Sequence, residues 1–216
     1  MKRLHEYLAA TPTIDCDHPS IIKSAHYLVK NCSTEMEKAV ALFSFVRDSI
    51  PYSLYMISVF EEDFMASRVL TWGKGYCVQK AVLLTAMGRS VGIPSRLAFA
   101  KIKNHKVPAK IIKMAGGNIF PRHGYTQFYL NETWLSAAPT FDSKLCNTIG
   151  VPTVDFDGRH DAILPEKDLH GGPYIEYLET FGSYADLPFE WIAAKISQTL
   201  GPDKRPWRSK ADMPSL

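Results

Sequence analysis

The densest apolar pattern in the chain lies between Gly73 and Arg96, GKGYCVQKAVLLTAMGRSVGIPSR. Ala81, Leu84, Thr85, Gly88 and Val91 recur at helical spacing, and Val82, Leu83, Ala86 and Met87 fill in around them. A helix apolar on most sides is a buried one. Gly92 suits the position after its C-terminus, and Pro94 cannot continue it. Two glycines, Gly73 and Gly75, feed the chain into this helix and place Cys77 in its first turn.

Two further helices precede it. Ser20 to Asn31 carries Ile21, Ile22, Ala25, Leu28 and Val29 on one side. Thr34 and Glu37 form a capping box that opens a second helix, striped by Met36, Val40, Phe43, Val46 and Ile50 and closed by Pro51. Residues 52–60 are a short apolar run of uncertain type, and Glu61, Glu62 and Asp63 read as a solvated turn.

After the central helix the period changes to two. Ser95 to Lys103 alternates as a strand, and His123 to Leu130 reads as a second. Asn131-Glu132-Thr133 turns the chain back into Trp134 to Ala138, a hairpin. Residues 104–122 are expected as a basic, glycine-bearing loop that forms a solvated rim or touches substrate. Val151 to Phe156 is a further strand candidate. Residues 157–182 are expected as mostly loop, with His160-Asp161 a solvated pair. A last helix starts at Asp186 or Leu187 and ends at Gly201, and the tail beyond it is expected as a surface arm. Helices followed by strands indicate an α+β fold.

The chain of 216 residues is read as a single domain, 1–216, with a core at about 20–156 and a C-terminal extension at 157–216. A net charge of +3 gives no reason to expect nucleic acid or an acidic membrane surface as partner. No apolar run reaches membrane-spanning length, and the amino terminus lacks a signal-peptide core. The four cysteines, at 16, 32, 77 and 146, show no ligand-like spacing, and Cys16, His18 and His26 are too scattered for a metal site. The expectation is a soluble, cytoplasmic protein with free thiols and no metal or organic cofactor.

The candidate chemistry centres on Cys77. Unpaired N–H groups and the positive end of the helix dipole favour an anion at that terminus, so a lowered thiol pKa is expected. A catalytic thiol needs a base that is close in space, however distant in sequence. His123 begins a central strand and shares a face with Tyr125, Gln127 and Tyr129. The alternatives are a structural thiol and a histidine satisfied at a strand end.

GYCVQKAVLLTAMGRSVGIPSR resembles the cysteine motif of the transglutaminase-like superfamily through Gly75, Cys77, Ala81, Arg89, Gly92, Ile93, Pro94 and Arg96. HGYTQFYL is similar to its histidine strand at His123, Tyr125, Gln127 and Tyr129. Trp134 and Pro139-Thr140 match the strand that follows, and FVRDSIPY (45–52) matches the lead-in. The resemblance implies a papain-like fold and acyl transfer at an amide or peptide carbonyl of a peptide or protein substrate. It makes Cys77 the nucleophile, His123 the base and acid, and Trp72, Tyr76, Tyr125 and Gln127 the candidate substrate contacts. The Cys77 N–H is a candidate oxyanion donor.

One family residue is absent. An aspartate is expected immediately before Pro-Thr, and this chain has Ala138 there. Three readings follow. Asp142 folds back to orient His123, which needs a turn because four extended residues span about 13 Å. Alternatively, another group serves that role. Or the fold acts as a non-catalytic peptide- or protein-binding module.

Overall fold

The computed structural model describes residues 4–207, so the ends of the expected lead-in and tail lie outside the described residues. Seven α-helices and four strands occur among them. They are α1 (Pro19–Leu28), α2 (Glu35–Ser49), α3 (Ala66–Trp72), α4 (Cys77–Ser90), β1 (Ser95–Asn104), α5 (Ala109–Ala115), β2 (Ile119–Leu130), β3 (Thr133–Ala137), α6 (Ser143–Ile149), β4 (Ile175–Tyr184) and α7 (Phe189–Leu200). The strands form one antiparallel sheet in the order β3-β2-β1-β4.

The helix α4 is the centre of the packing. Every residue from Cys77 to Arg89 is buried, as a helix apolar all round requires. Helices α1, α2 and α3 lie against it on one side, and β1 and β2 on the other. The approach to the sheet is close: a Cβ on Gly88 would lie 2.4 Å from Ser95 Oγ and 2.6 Å from a Phe128 ring carbon, so only glycine fits. Capping fixes where the flanking helices begin. Thr34 Oγ1 accepts from Glu37 N while Glu37 Oε2 accepts from Thr34 N, and Pro19 starts α1 with the His18 side chain accepting from Ser20 N.

A second apolar layer covers the other face of the sheet. It includes Ala98, Ala100, Ile102, Tyr125, Ala138, Cys146, Leu164 and Tyr174. The strand β1 is thus buried from both sides. The hairpin turn has φ of +48° at Asn131 and +63° at Glu132, the left-handed pair that a two-residue hairpin demands. Between β1 and β2 the register slips: Ala100 faces His123, whereas Ile102 faces Phe120. The extra residue makes a bulge at Pro121 and Arg122, immediately before His123. Bulges of this kind tolerate proline and re-aim the next side chain.

Several expected elements differ. Residues 104–122 hold α5 and the first residues of β2, and Arg122 is no solvated rim: its guanidinium lies 3.6 Å from the centre of the Trp191 ring. No strand occupies residues 151–156. Part of the expected 157–182 loop is β4, an edge strand whose residues are mostly exposed and so carry little apolar alternation. The helices α3 and α6 are seven residues each, too short to impose a period. The last helix begins at Phe189. The acidic turn is not solvated throughout. Asp63 is buried, accepts from Ser58 Oγ at 2.7 Å, and pairs with Arg68 and Arg205.

Candidate active site

Cys77 is the first residue of α4, and the chain is held there by a buried amide. Gln79 Oε1 accepts from Tyr76 N at 3.2 Å, while Gln79 Nε2 donates to Met56 O at 3.1 Å and Asp63 O at 2.9 Å. One side chain thus caps the helix and pins the 56–63 segment over its start. The sequence signal was a glutamine at the third helical position.

The β2 strand meets this helix end at Gly124. A Cβ there would lie 3.2 Å from Val78 Cα and 3.1 Å from the Phe99 ring, so the missing side chain permits the approach. The backbone amides of Gly124, Val78 and Cys77 lie near the Cys77 sulfur and favour its ionised form. His123, one residue before Gly124, lines the same cleft as Cys77. The expected nucleophile and base are therefore brought together. The His123 ring is held by aromatic neighbours: Tyr125 stacks on it with centroids 6.0 Å apart, and Tyr177 approaches edge-on at 6.2 Å.

The charge state departs from the expectation. Burial pushes the Cys77 thiol up to about 11, against the smaller opposing pull of the Gly124, Val78 and Cys77 amides. Burial alone pushes His123 down to about 4. The resting pair near neutral pH is thus a thiol beside a neutral imidazole. The helix terminus acts on the sulfur in the expected direction, and desolvation outweighs it.

Asp142 does not orient His123. Its Oδ1 accepts from Leu145 N at 2.9 Å, capping α6, and its Oδ2 accepts from Tyr52 N at 3.0 Å. Ala138, at the family aspartate's place, is buried. Continuing the β2–β3 register one step past Thr126 opposite Ala137 sets Ala138 opposite Tyr125, on the face His123 shares. His123 Nε2 is buried without a hydrogen-bond partner. Thr140 Oγ1, Tyr76 OH and Tyr174 OH are buried and unpartnered as well. Thr140 shares the Cys77–His123 cleft and Tyr76 a second cleft at Cys77.

The two clefts meet at Cys77, and both are lined by Tyr52, Leu54 and Phe120. The larger, about 230 Å³, holds His123 and is otherwise mostly apolar, with Ile102, Phe141 and Ile149 in its wall. The smaller, about 110 Å³, runs toward α7. Of the four expected substrate contacts, Tyr76 lines this smaller cleft. Tyr125 braces the imidazole from the second core layer. Gln127 is engaged in the sheet, where Oε1 accepts from Arg96 Nε and Ser183 Oγ and Nε2 donates to Ser136 Oγ. Trp72 lines a separate surface cavity between α3 and residues 200–207. The His160 partner is Asp157, at 2.7 Å on the surface, while Asp161 accepts from Ser136 N.

The sequence reading missed Lys80, one turn into α4. It is fully buried, donates to Arg47 O at 3.0 Å, and is pushed down to about 7 by burial, against the attraction of Asp142 and Asp48. A lysine inside an otherwise apolar helix pattern was its only signal. Among the described residues no cluster of three or more His, Cys, Asp or Glu side chains is placed to hold a metal ion, and no helix is long and apolar enough to cross a membrane.

Fold and site together define a papain-like α+β domain, with a helix-borne thiol and a strand-borne imidazole at one cleft. The residue pattern of the transglutaminase-like superfamily matches residues 22–139, more than half of the chain, and the chain belongs to that superfamily. No curated protein matches it in sequence. Among solved structures it is similar to a protein from Cytophaga hutchinsonii provisionally described as a cysteine protease. That match has a TM-score of 0.51 and 14% identity, and covers 84% of this chain and 54% of that one. It is also similar to the periplasmic domain of TgpA from Pseudomonas aeruginosa, with a TM-score of 0.47 and 18% identity over 68% of this chain and 51% of that one. The chain thus spans about half the length of these two relatives, and the likeness to the Cytophaga protein is one of fold.

Proposed function

We propose that the protein transfers or hydrolyses acyl groups at an amide or peptide carbonyl, with Cys77 as nucleophile and His123 as base and acid. What supports this above all is that the two side chains line one cleft. As Sγ attacks the carbonyl carbon, its proton passes to the neutral imidazole. The developing oxyanion is met by the Cys77 N–H at the helix start. The imidazolium then gives its proton to the leaving nitrogen, the C–N bond breaks, and a thioester remains. Water or a second amine, deprotonated by the same imidazole, releases the acyl group and restores the thiol. A low imidazole pKa keeps the base available through neutral pH, so activity falls only as pH approaches about 4.

A second reading, a peptide- or protein-binding module, is favoured by the unpartnered His123 Nε2 and the protonated thiol. Turnover separates the two. The assays are cleavage of a fluorogenic peptide-amide library and incorporation of dansylcadaverine into dimethylcasein. With either substrate, Cys77→Ala and His123→Ala are each expected to lose at least about a thousandfold in rate. Activity unchanged in both variants contradicts the acyl-transfer reading, and absence of turnover with retained peptide binding favours the module.

A further inference from the structure

The smaller cleft at Cys77 has a chemical character of its own. Its walls are apolar, with Leu54, Ile57, Ile192 and Ile196 among them, and its volume of about 110 Å³ suits one aliphatic side chain. Its two charged lining residues are both cations, Arg122 and Lys195. Arg122 donates through Nε to Trp191 O and lies over the Trp191 ring; Glu179 acts on it only at longer range. Lys195 is half-buried and donates to the neutral Gln198 Oε1 at 3.4 Å. Neither forms an ion pair with a carboxylate among the described residues. The larger cleft differs: its one charged lining residue, Lys106, is paired with Asp168 at 2.5 Å. The smaller cleft thus carries two cations without a carboxylate partner, in an apolar setting that strengthens their pull on an anion. Ile192, Lys195, Ile196, Thr199 and Leu200 of its lining come from α7, beyond the 22–139 stretch that carries the family pattern.

We infer that the smaller cleft binds the carboxy-terminal residue of a short peptide. An aliphatic side chain fills the apolar wall, and the free α-carboxylate meets Lys195, with Arg122 beside it. The apolar residue on the acyl side occupies the larger cleft. This rests on the acyl-transfer reading for its chemistry, though not for its binding. Sγ attacks the carbonyl of the penultimate residue, its proton passes through His123 to the leaving amine, and the C–N bond breaks. The terminal amino acid departs with its carboxylate unchanged, and water then converts the thioester to the shortened peptide acid.

The test compares acetyl-Leu-Leu with acetyl-Leu-Leu-amide by calorimetry on Cys77→Ala, which binds without turnover. The carboxylate form is expected to bind at least about tenfold more tightly, as one charge-assisted contact allows. That preference is expected to fall within about threefold in Cys77→Ala/Lys195→Met and to survive in Cys77→Ala/Lys195→Arg. Equal affinity for the two peptides, no binding of either, or a preference undiminished by Lys195→Met overturns the inference. Release of leucine by the native chain is read separately. Turnover without the carboxylate preference removes this substrate class and leaves acyl transfer standing. The preference without turnover removes the chemistry and leaves the site.

Discussion

Replacing Ala138 by aspartate is expected to speed alkylation of Cys77 by iodoacetamide at pH 7 at least about tenfold. His123 Nε2 is buried with no partner, and its pKa is held near 4 by desolvation alone. Ala138 lies on the His123 face of the sheet, diagonal to it across the β2–β3 pairing, within reach of a short acidic side chain. A carboxylate there would accept the ring N–H and stabilise the imidazolium, raising the His123 pKa. Transfer of the thiol proton to the ring becomes easier by the same interaction. In serine enzymes the corresponding carboxylate is worth about 10⁴ in turnover, so tenfold is a modest expectation. The substitution has its own cost, because a buried carboxylate whose partner is imperfectly placed destabilises by about 3 kcal/mol. If the aspartate variant fails to fold, Ala138→Asn offers the same acceptor without the charge and is expected to move the rate in the same direction by less. An unchanged rate in a folded Ala138→Asp variant contradicts the expectation that a side chain at position 138 reaches the imidazole.

The second large effect belongs to the native chain. With the Cys77 thiol at about 11, the thiolate fraction at pH 7 is about one in 10⁴, and it grows tenfold with each pH unit until the pKa is reached. Because the thiolate is the reacting form, iodoacetamide labelling of Cys77 is expected to rise about a thousandfold between pH 6.5 and 9.5. Peptide mapping assigns the label to Cys77 and keeps it apart from Cys16, Cys32 and Cys146. The sign follows from the direction of the shift: burial disfavours the charged sulfur, so reactivity is lost toward acid, with no plateau near neutrality. A rate independent of pH from 5 to 9 would instead show a thiolate–imidazolium pair at rest.

What was legible in the sequence, and what was not, divides along physical lines. The helix from Cys77 and the strand carrying His123 were readable because each imposes its period over many residues. The hairpin at Asn131-Glu132 and the capping box at Thr34 were readable because their chemistry is local. The strand β4 was hidden by its exposure, since an edge strand such as Ile175–Tyr184 carries little alternation. Segment 104–122 read as loop because α5 is short and because a proline falls in the β2 bulge. The lowered thiol pKa expected from the helix terminus failed for a related reason. A dipole is a local property of the chain, whereas desolvation depends on everything folded around the sulfur. Asp142 could be placed near the site by sequence distance, but its engagement by Leu145 N and Tyr52 N is purely tertiary. The absent carboxylate at Ala138 was legible from the family resemblance; the unpartnered nitrogen it leaves behind required the fold.

Intact-mass analysis of the protein, acid-quenched during turnover of a peptide amide, reads the covalent step itself. A single acyl adduct mapped to the Cys77 peptide, accumulating in the native chain and absent in His123→Ala, is the predicted result. Substrate consumed while Cys77 stays unmodified, or an adduct that forms equally well without the imidazole, would contradict a thiol and imidazole acting together at this cleft.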